Sequence, residues 1–432
     1  MGARLCLTTS EQVHAMKQRP KTEKRRAWVP VMLLITAFQL LSFAPLLLQD
    51  DVELPLLASL LGYPLLEWLF LLLLRGITRQ RNLAPELLGC WLSGLGLAVC
   101  GSISAQFAWK QAVAVAGGMV VYAVLLWMTA DADRAMKLRP AVAVGAGALL
   151  AVNLAFATSI GGQRNWLDLG GFSIQPSELV KLAFIFVGAA TLDRLQSTRS
   201  ITRYLIFAMG CVGALFLMRD FGTALIFFAT YLLIAFLRSG DLRSIALICA
   251  AAAMAAFLVI YFRPYVAGRF QVYRHVWEPE HIHDAGYQQT RVLIYSSSGG
   301  LLGLGLGQGR LRGVFAASTD LIFGLLCEEF GMVLAFLVPI CYIALAVFAL
   351  RSARNARSAF YTIASVSAAG MLLLQASLNI FGVTDLLPLT GVTLPFVSRG
   401  GTSMLCAWGL LAFIRAGEME GKVGQSPVGR GF

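Results

Sequence analysis

A lysine inside an apolar run is the first residue in this chain that asks for chemistry. Lys181 follows Glu178 by three residues in Gln175-Pro176-Ser177-Glu178-Leu179-Val180-Lys181, so on a helix the two charges share a face. Pro176 suits a first helical position and Glu178 a first turn, where the macrodipole favours an acid. That accounts for a helix start, but not for Lys181, and an ion pair inside hydrocarbon is costly and marks a functional site by default. Just upstream lie Gly161-Gly162-Gln163-Arg164-Asn165-Trp166 and Gly170-Gly171. Downstream, Arg219-Asp220-Phe221-Gly222-Thr223 sits at a tight turn, where Asp220 either caps the next helix or helps hold a site.

The longest polar interruption, residues 263–320, is the densest in reactive types. It carries Trp277, Glu278, Glu280, His281, His283 and Asp284, then Gly286-Tyr287-Gln288-Gln289, a glycine-leucine run from Gly299 to Gly309, and Thr319-Asp320 leading into Glu328-Glu329. Long loops on a rigid scaffold are where chemistry concentrates. A partly desolvated carboxylate there has its pKa moved up towards a useful range for a general base. The His-x-His with flanking acids offers nitrogen and oxygen ligands, but no second ligand cluster accompanies it. The glycine run is neither a Walker loop nor a dinucleotide fingerprint, since no lysine-serine ending follows and no strand precedes it. It reads as a re-entrant or tightly packed segment exposing backbone amides to an anion, or as flexible packing against a bundle. A last cluster, Asn379, Gly382, Pro388-Leu389-Thr390-Gly391, Leu394-Pro395-Phe396 and Ser398-Arg399-Gly400-Gly401-Thr402-Ser403, breaks one helix and opens the next beside an arginine, a ready anion site.

These residues are positioned by membrane spans. The chain has 432 residues, 58% of them hydrophobic and 13% charged, against about 25% charged in soluble domains. Apolar runs of about 20 residues or somewhat fewer occur at 29–48, 55–74, 86–105, 111–130, 140–158, 176–192, 203–218, 221–237, 244–262, 329–350, 359–381 and 402–416, which predicts an all-α bundle of about twelve spans. A basic tail (1–28), one membrane domain (29–416) and a short C-terminal tail (417–432) follow from this. Lysine and arginine collect on alternate connections, which predicts that both termini are cytoplasmic and that 263–320 is outside. No short apolar core with a small-residue cleavage site marks a signal peptide. The net charge of +12 is scattered between spans, which fits topology and anionic membrane lipids and argues against nucleic acid. The eight cysteines mostly fall in apolar runs without CxxC spacing and read as small buried hydrophobes. On the outer side the rule predicts few cations, yet Lys110, Arg164, Arg219, Arg399 and six loop arginines (Arg263, Arg269, Arg274, Arg291, Arg310, Arg312) lie there, and Lys181 at the outer end of a span. Several of these are read as binding an anionic group.

Taken in order, the clusters from about residue 160 to 416 resemble the SEDS family, the shape, elongation, division and sporulation proteins of the RodA, FtsW and SpoVE type. The resemblance implies a peptidoglycan glycosyltransferase that polymerises lipid II outside the membrane, adding to a nascent glycan chain and working with a class B penicillin-binding protein that crosslinks it. An acceptor hydroxyl would attack an anomeric carbon whose leaving group is polyprenyl diphosphate, so one base and a set of cations suffice, or a divalent ion such as Mg²⁺ or Mn²⁺. The family's catalytic Asp commonly stands six residues before the Tyr of Gly-Tyr-Gln. Here that position is His281, so Asp284 becomes the first choice of base and Glu280 the second. The residues expected to hold substrate are Arg164, Trp166, Glu178, Lys181, Arg219, Asp220, Arg274, Gln288, Arg291, Asp320, Glu328, Ser398, Arg399, Thr402 and Ser403. Two further departures stand out: Arg219 replaces the usual Pro, and the family typically has about ten spans. Competing readings are a transporter or flippase for the same lipid-linked precursor, and a non-catalytic scaffold for a penicillin-binding protein. No internal repeat of the broken-helix transporter kind is visible.

Overall fold

The structure, a computed structural model, describes residues 28–423 except 49–50, 79, 81, 161–162, 169, 171–172, 193–197, 244–245, 251–252, 255–270, 355 and 357. The apolar runs fold as helices, the state that satisfies the backbone internally in hydrocarbon. In chain order these are α1 (Trp28–Leu47), α2 (Leu54–Thr78), α3 (Ala84–Ile103), α4 (Ala105–Thr129), α5 (Ala132–Phe156), α6 (Pro176–Leu192), α7 (Thr198–Leu217), α8 (Phe221–Ser239), α9 (Tyr287–Ser298), α10 (Ile322–Ala353), α11 (Ala359–Val383) and α12 (Gly401–Val423). Eight of them are long and apolar enough to cross a membrane: α1 to α5, α8, α10 and α11. The predicted span 244–262 falls largely outside the described residues, as do Arg263 and Arg269.

Local chemistry sets the helix starts. The expected runs at 111 and 140 begin earlier, because Ser104 accepts the Gln106 amide ahead of α4 and Asp131 accepts the Asp133 amide ahead of α5. Between α5 and α6 the chain adds a small antiparallel sheet that hydropathy does not reveal, β1 (Thr158–Ile160), β2 (Gln163–Asp168) and β3 (Ser173–Ile174), with Ser159 opposite Arg164 and Leu167 opposite Ile174.

Burial separates the centre of the bundle from its rim. The apolar window of α3 is 83% buried and that of α5 only 17%, so α3 is enclosed by other helices while α5 offers most of its surface to lipid. Helix α12 is also central. It lies so close to α4 that a Cβ on Gly118 would stand 2.7 Å from Trp408 Cδ1, and Trp408 meets Phe70 and Phe396 edge-on at centroid distances of 5.3 and 5.8 Å. Towards the C-terminal end of α12, the fully buried Arg415 donates from Nε to Glu86 Oε1 at 2.7 Å, from Nη2 to Glu86 Oε2 and from Nη1 to Glu418. Tyr122 adds a 2.6 Å donation to Glu86.

Helix α10 is broken at Gly331 (φ 82°, ψ 168°), and the glycine-leucine segment fills the break. Leu304 and Gly305 amides donate to the carbonyls of Glu328 and Glu329 at 2.9 and 3.0 Å, and Met332 and Val333 donate back to Gly300 and Leu301 at 3.0 and 3.2 Å. Gly303, at φ 86°, leaves no room for a side chain, since its Cβ would lie 2.2 Å from the Glu329 carbonyl oxygen. The re-entrant reading of this run thus has a physical basis: each broken backbone supplies the partners the other lacks.

Candidate active site

A cavity of about 1130 Å³ opens among α4, β2, α6, the 271–289 segment, the 311–320 turn and the loop between α11 and α12. Among the described residues its charged lining comprises three cations and four carboxylates. Lys110, Arg312 and Arg399 all border the corner between α3 and α4. Lys110 lies on α4, Arg312 donates from Nη1 to the Ser102 carbonyl at 3.4 Å, and the Arg399 guanidinium lies 3.8 Å over the Phe107 ring. Burial lowers the pKa of Arg399 from the usual guanidinium value.

Asp284 and Asp385 line the cavity from two segments tied to each other. Tyr273 donates to the Leu386 carbonyl at 2.7 Å, and Gln289 Nε2 donates to those of Gly382 and Val383 at 2.9 and 3.0 Å. Asp284 sits in a compact turn in which its own amide and that of Gly286 both reach the His281 carbonyl, at 3.1 and 2.8 Å. Gly286 is required there, because a Cβ would come within 2.9 Å of the Val276 carbonyl oxygen. Asp320 and Glu178 add carboxylates to the lining.

Behind Glu178 lies the buried lysine. Lys181 Nζ donates to Glu178 Oε1 at 2.6 Å and to Gln375 Oε1 at 2.9 Å, with no exposure of its own. Gln375 Nε2 continues to Thr393, whose hydroxyl pairs with Ser403 at 2.7 Å. Glu178 Oε2 has no hydrogen-bond partner among the described residues. The pair expected from spacing forms, with Glu178 facing the cavity and Lys181 fixing it from beneath.

Other expected residues hold the walls in place. Asp220 is 2% exposed and does two jobs: it caps α8 by accepting the Thr223 amide at 3.0 Å, and it accepts Nδ2 of Asn165 and Nε2 of Gln175. Ser398 Oγ donates to the Thr319 carbonyl at 2.6 Å and accepts the Leu394 amide at 2.8 Å, while the Arg399 amide donates to Ser318 at 2.7 Å. Thr402 accepts the Gln175 amide at 3.3 Å. These bonds staple the α11–α12 loop to the 318–320 turn and to the start of α6.

Of the residues proposed from sequence, Asp284, Trp166, Glu178, Gln288, Asp320 and Arg399 line the cavity. Gln288 also donates to the Phe315 carbonyl at 3.2 Å. Glu280, Arg164, Arg219 and Arg274 are exposed and lie outside the lining, and Arg291 rests 5.1 Å from the centre of the Tyr287 ring. Just beyond the glycine run, Glu328 accepts the amides of Arg310 and Leu311 at 2.7 and 2.9 Å. Lys110 and Arg312 were visible in sequence only as outer-side cations. Asp385 was passed over; its signal was an acid just ahead of the Pro388-Leu389-Thr390-Gly391 cluster. Among the described residues no group of three or more His, Cys, Asp or Glu converges as a metal cage.

Comparison with known proteins gives this cavity a family. The FtsW, RodA and SpoVE cell cycle protein model matches residues 96–420. Stage V sporulation protein E of Bacillus subtilis (strain 168) is 32% identical over 260 residues, 58% of this chain and 70% of that protein. Peptidoglycan glycosyltransferase RodA of Mycobacterium leprae (strain TN) is 31% identical over 274 residues, 59% of this chain and 57% of that one. A chain from a solved structure on coordination of polymerization and crosslinking by a peptidoglycan synthase complex shares the fold, with a TM-score of 0.64, 23% identity, and coverage of 77% of this chain and 96% of that one. The chain is a multi-pass membrane protein of the FtsW/RodA/SpoVE family, the one its spaced clusters resemble.

Proposed function

We propose that this protein is a peptidoglycan glycosyltransferase that polymerises lipid II at the outer face of the membrane. The observation that carries the reading is a single cavity lined both by Asp284 and by the cations Lys110, Arg312 and Arg399. Glycosyl transfer from a lipid diphosphate needs both kinds of group. The acceptor hydroxyl oxygen attacks the anomeric carbon, the bond from that carbon to the diphosphate oxygen breaks, and the diphosphate leaves with the electron pair. The hydroxyl proton passes to the Asp284 carboxylate. The leaving group needs no proton, because the guanidinium and ammonium groups that line the cavity stabilise its charge.

A divalent ion has no all-protein cage among the described residues. Magnesium is commonly carried by substrate phosphates with one or two carboxylates, and we assign it no step here. The partner in this reading is a class B penicillin-binding protein, in keeping with a structural neighbour that comes from a synthase complex joining polymerization to crosslinking. The test is turnover of lipid II by the purified full-length protein. The expected result is glycan polymer from wild type and a drop of about 10²–10⁴-fold for Asp284→Asn. Wild-type movement of lipid II across vesicles without polymer would overturn the reading in favour of a flippase, and cell growth untouched by Asp284→Asn would favour a scaffold.

A further inference from the structure

Asp385 closes α11 and lines the cavity that Asp284 lines. Its φ of 59° is that of the left-handed residue in a helix C-terminal cap, with the Leu386 amide on the Phe381 carbonyl at 2.9 Å and the Asp385 amide on that of Gly382 at 3.3 Å, and Arg274 beside it has φ 64°. The surroundings here are specific: the Tyr273 hydroxyl fixes the Leu386 carbonyl, and Gln289 fixes those of Gly382 and Val383. Asp385 is therefore clamped from both sides to the segment that carries Asp284, and both residues line the same cavity. Burial pushes the Asp385 carboxyl above its ordinary pKa, while the charge and the backbone amide of Arg274 pull it down.

We propose that Asp385 is a second substrate-contacting carboxylate of this cavity, accepting a hydrogen bond from a hydroxyl of the acceptor sugar and orienting it towards Asp284. The proposal rests on the glycosyltransferase reading above and adds a residue to it. Sugar hydroxyls are recognised by fixed acceptors on rigid backbone, and a carboxylate clamped between two loops meets that need. The competing role is a cap on the Arg274 amide. Asparagine would fill it equally, since its carbonyl accepts the same bond and it tolerates the left-handed backbone. Glycine would relieve the backbone altogether.

The two roles separate in kinetics of the purified full-length protein on lipid II, with thermal unfolding followed in parallel. Asp385→Gly, which removes the acceptor, is expected to raise the apparent KM for lipid II about tenfold with a smaller fall in kcat, and Asp385→Asn, which keeps an uncharged acceptor, to raise it about threefold. The unfolding midpoint should be unchanged for Asn and unchanged or higher for Gly. Wild-type KM in both variants overturns the proposal and leaves Asp385 as a cap, with the glycosyltransferase reading intact. A lower midpoint in Asp385→Asn with kinetic loss only in proportion to unfolded protein also overturns it. Failure of the broader reading shows up differently, as wild-type protein that makes no polymer.

Discussion

Two regions of this bundle use the same residue types for opposite ends. In one half, towards the C-terminal end of α12, Glu86, Arg415, Tyr122 and Glu418 form a cluster in which the side chains of Arg415 and Glu86 are fully buried and both Glu86 oxygens are engaged. In the other half, carboxylates and cations surround a cavity of about 1130 Å³, and Glu178 keeps a buried oxygen with no partner among the described residues. Residue chemistry alone does not tell a site from a strut; saturation does. A buried charge whose hydrogen bonds are all made has nothing left to offer a ligand, whereas one lining space with unfilled valence does. Helix α12 joins the two, with Thr402 and Ser403 at the cavity end and Arg415 at the other.

The sharpest way to break the contrast is at the Glu86–Arg415 cluster. Arg415→Met strands Glu86 without its cation in a closed environment and is expected to cost about 3–5 kcal/mol of stability. Pairing it with Glu86→Gln should return most of that loss. Thermal unfolding in detergent checks both, and a single variant costing less than about 1 kcal/mol would mean the cluster is not the lock that its closed geometry describes. Around the cavity the order of effects reverses. Arg399→Ala is expected to lower polymerisation about 10²-fold while leaving the unfolding midpoint close to wild type, because the guanidinium's contact is the face of Phe107. Arg399→Lys should fall between, since an ammonium keeps the charge but not the planar stacking. A stability loss matching that of Arg415→Met would erase the distinction between the two regions.

How much of this was legible without coordinates depends on how far apart the partners are. The helices were, because hydropathy over about 20 residues is a local signal. The Glu178–Lys181 contact was too, since three residues on a helix place both charges on one face. The Glu86–Arg415 pair spans 329 positions, and no periodicity in one helix announces a partner in another. Glu86 and Arg415 each stand at the end of an apolar run, where a charge ordinarily faces headgroups. Asp284 and Asp385 come together through bonds such as Gln289 to Gly382, 93 residues apart, which loop composition does not encode. Sequence leaves the glycine run open between a re-entrant or tightly packed segment and flexible packing; the structure packs it into the break in α10, with Glu328 holding the two amides just beyond it. The small sheet escaped notice because its strands are of two to six residues with glycine pairs between them.

Asp220 lies between the two extremes, a buried carboxylate near the cavity whose bonds are directed inward. Its loss in Asp220→Ala removes the cap on α8 and unties Asn165, with an expected cost of about 1–2 kcal/mol. Activity should follow the fraction folded, because Asp220 is not part of the lining. A loss of turnover beyond that fraction, measured at a temperature where the variant is fully folded, would move Asp220 from the walls into the site.

The smallest expected effect discriminates best within the loop. Glu280 and Asp284 are four residues apart in one turn-rich segment, and both were candidates for the base. Both are exposed, but Glu280 lies outside the cavity lining and Asp284 within it, while the neighbouring Glu278 is occupied with His275 at 2.7 Å. Glu280→Gln keeps size and polarity and removes only a solvated charge, so it should change turnover by less than about twofold, the range of an exposed surface substitution. Asp284→Asn is the same chemical change on the residue that faces the cavity. Distortion of the loop would affect the two variants alike, so a wide gap between them isolates the carboxylate's chemistry from its role in shape. If instead Glu280→Gln fell as far as Asp284→Asn, the base would have to be reassigned, and the loop would have to swing Glu280 inward during turnover.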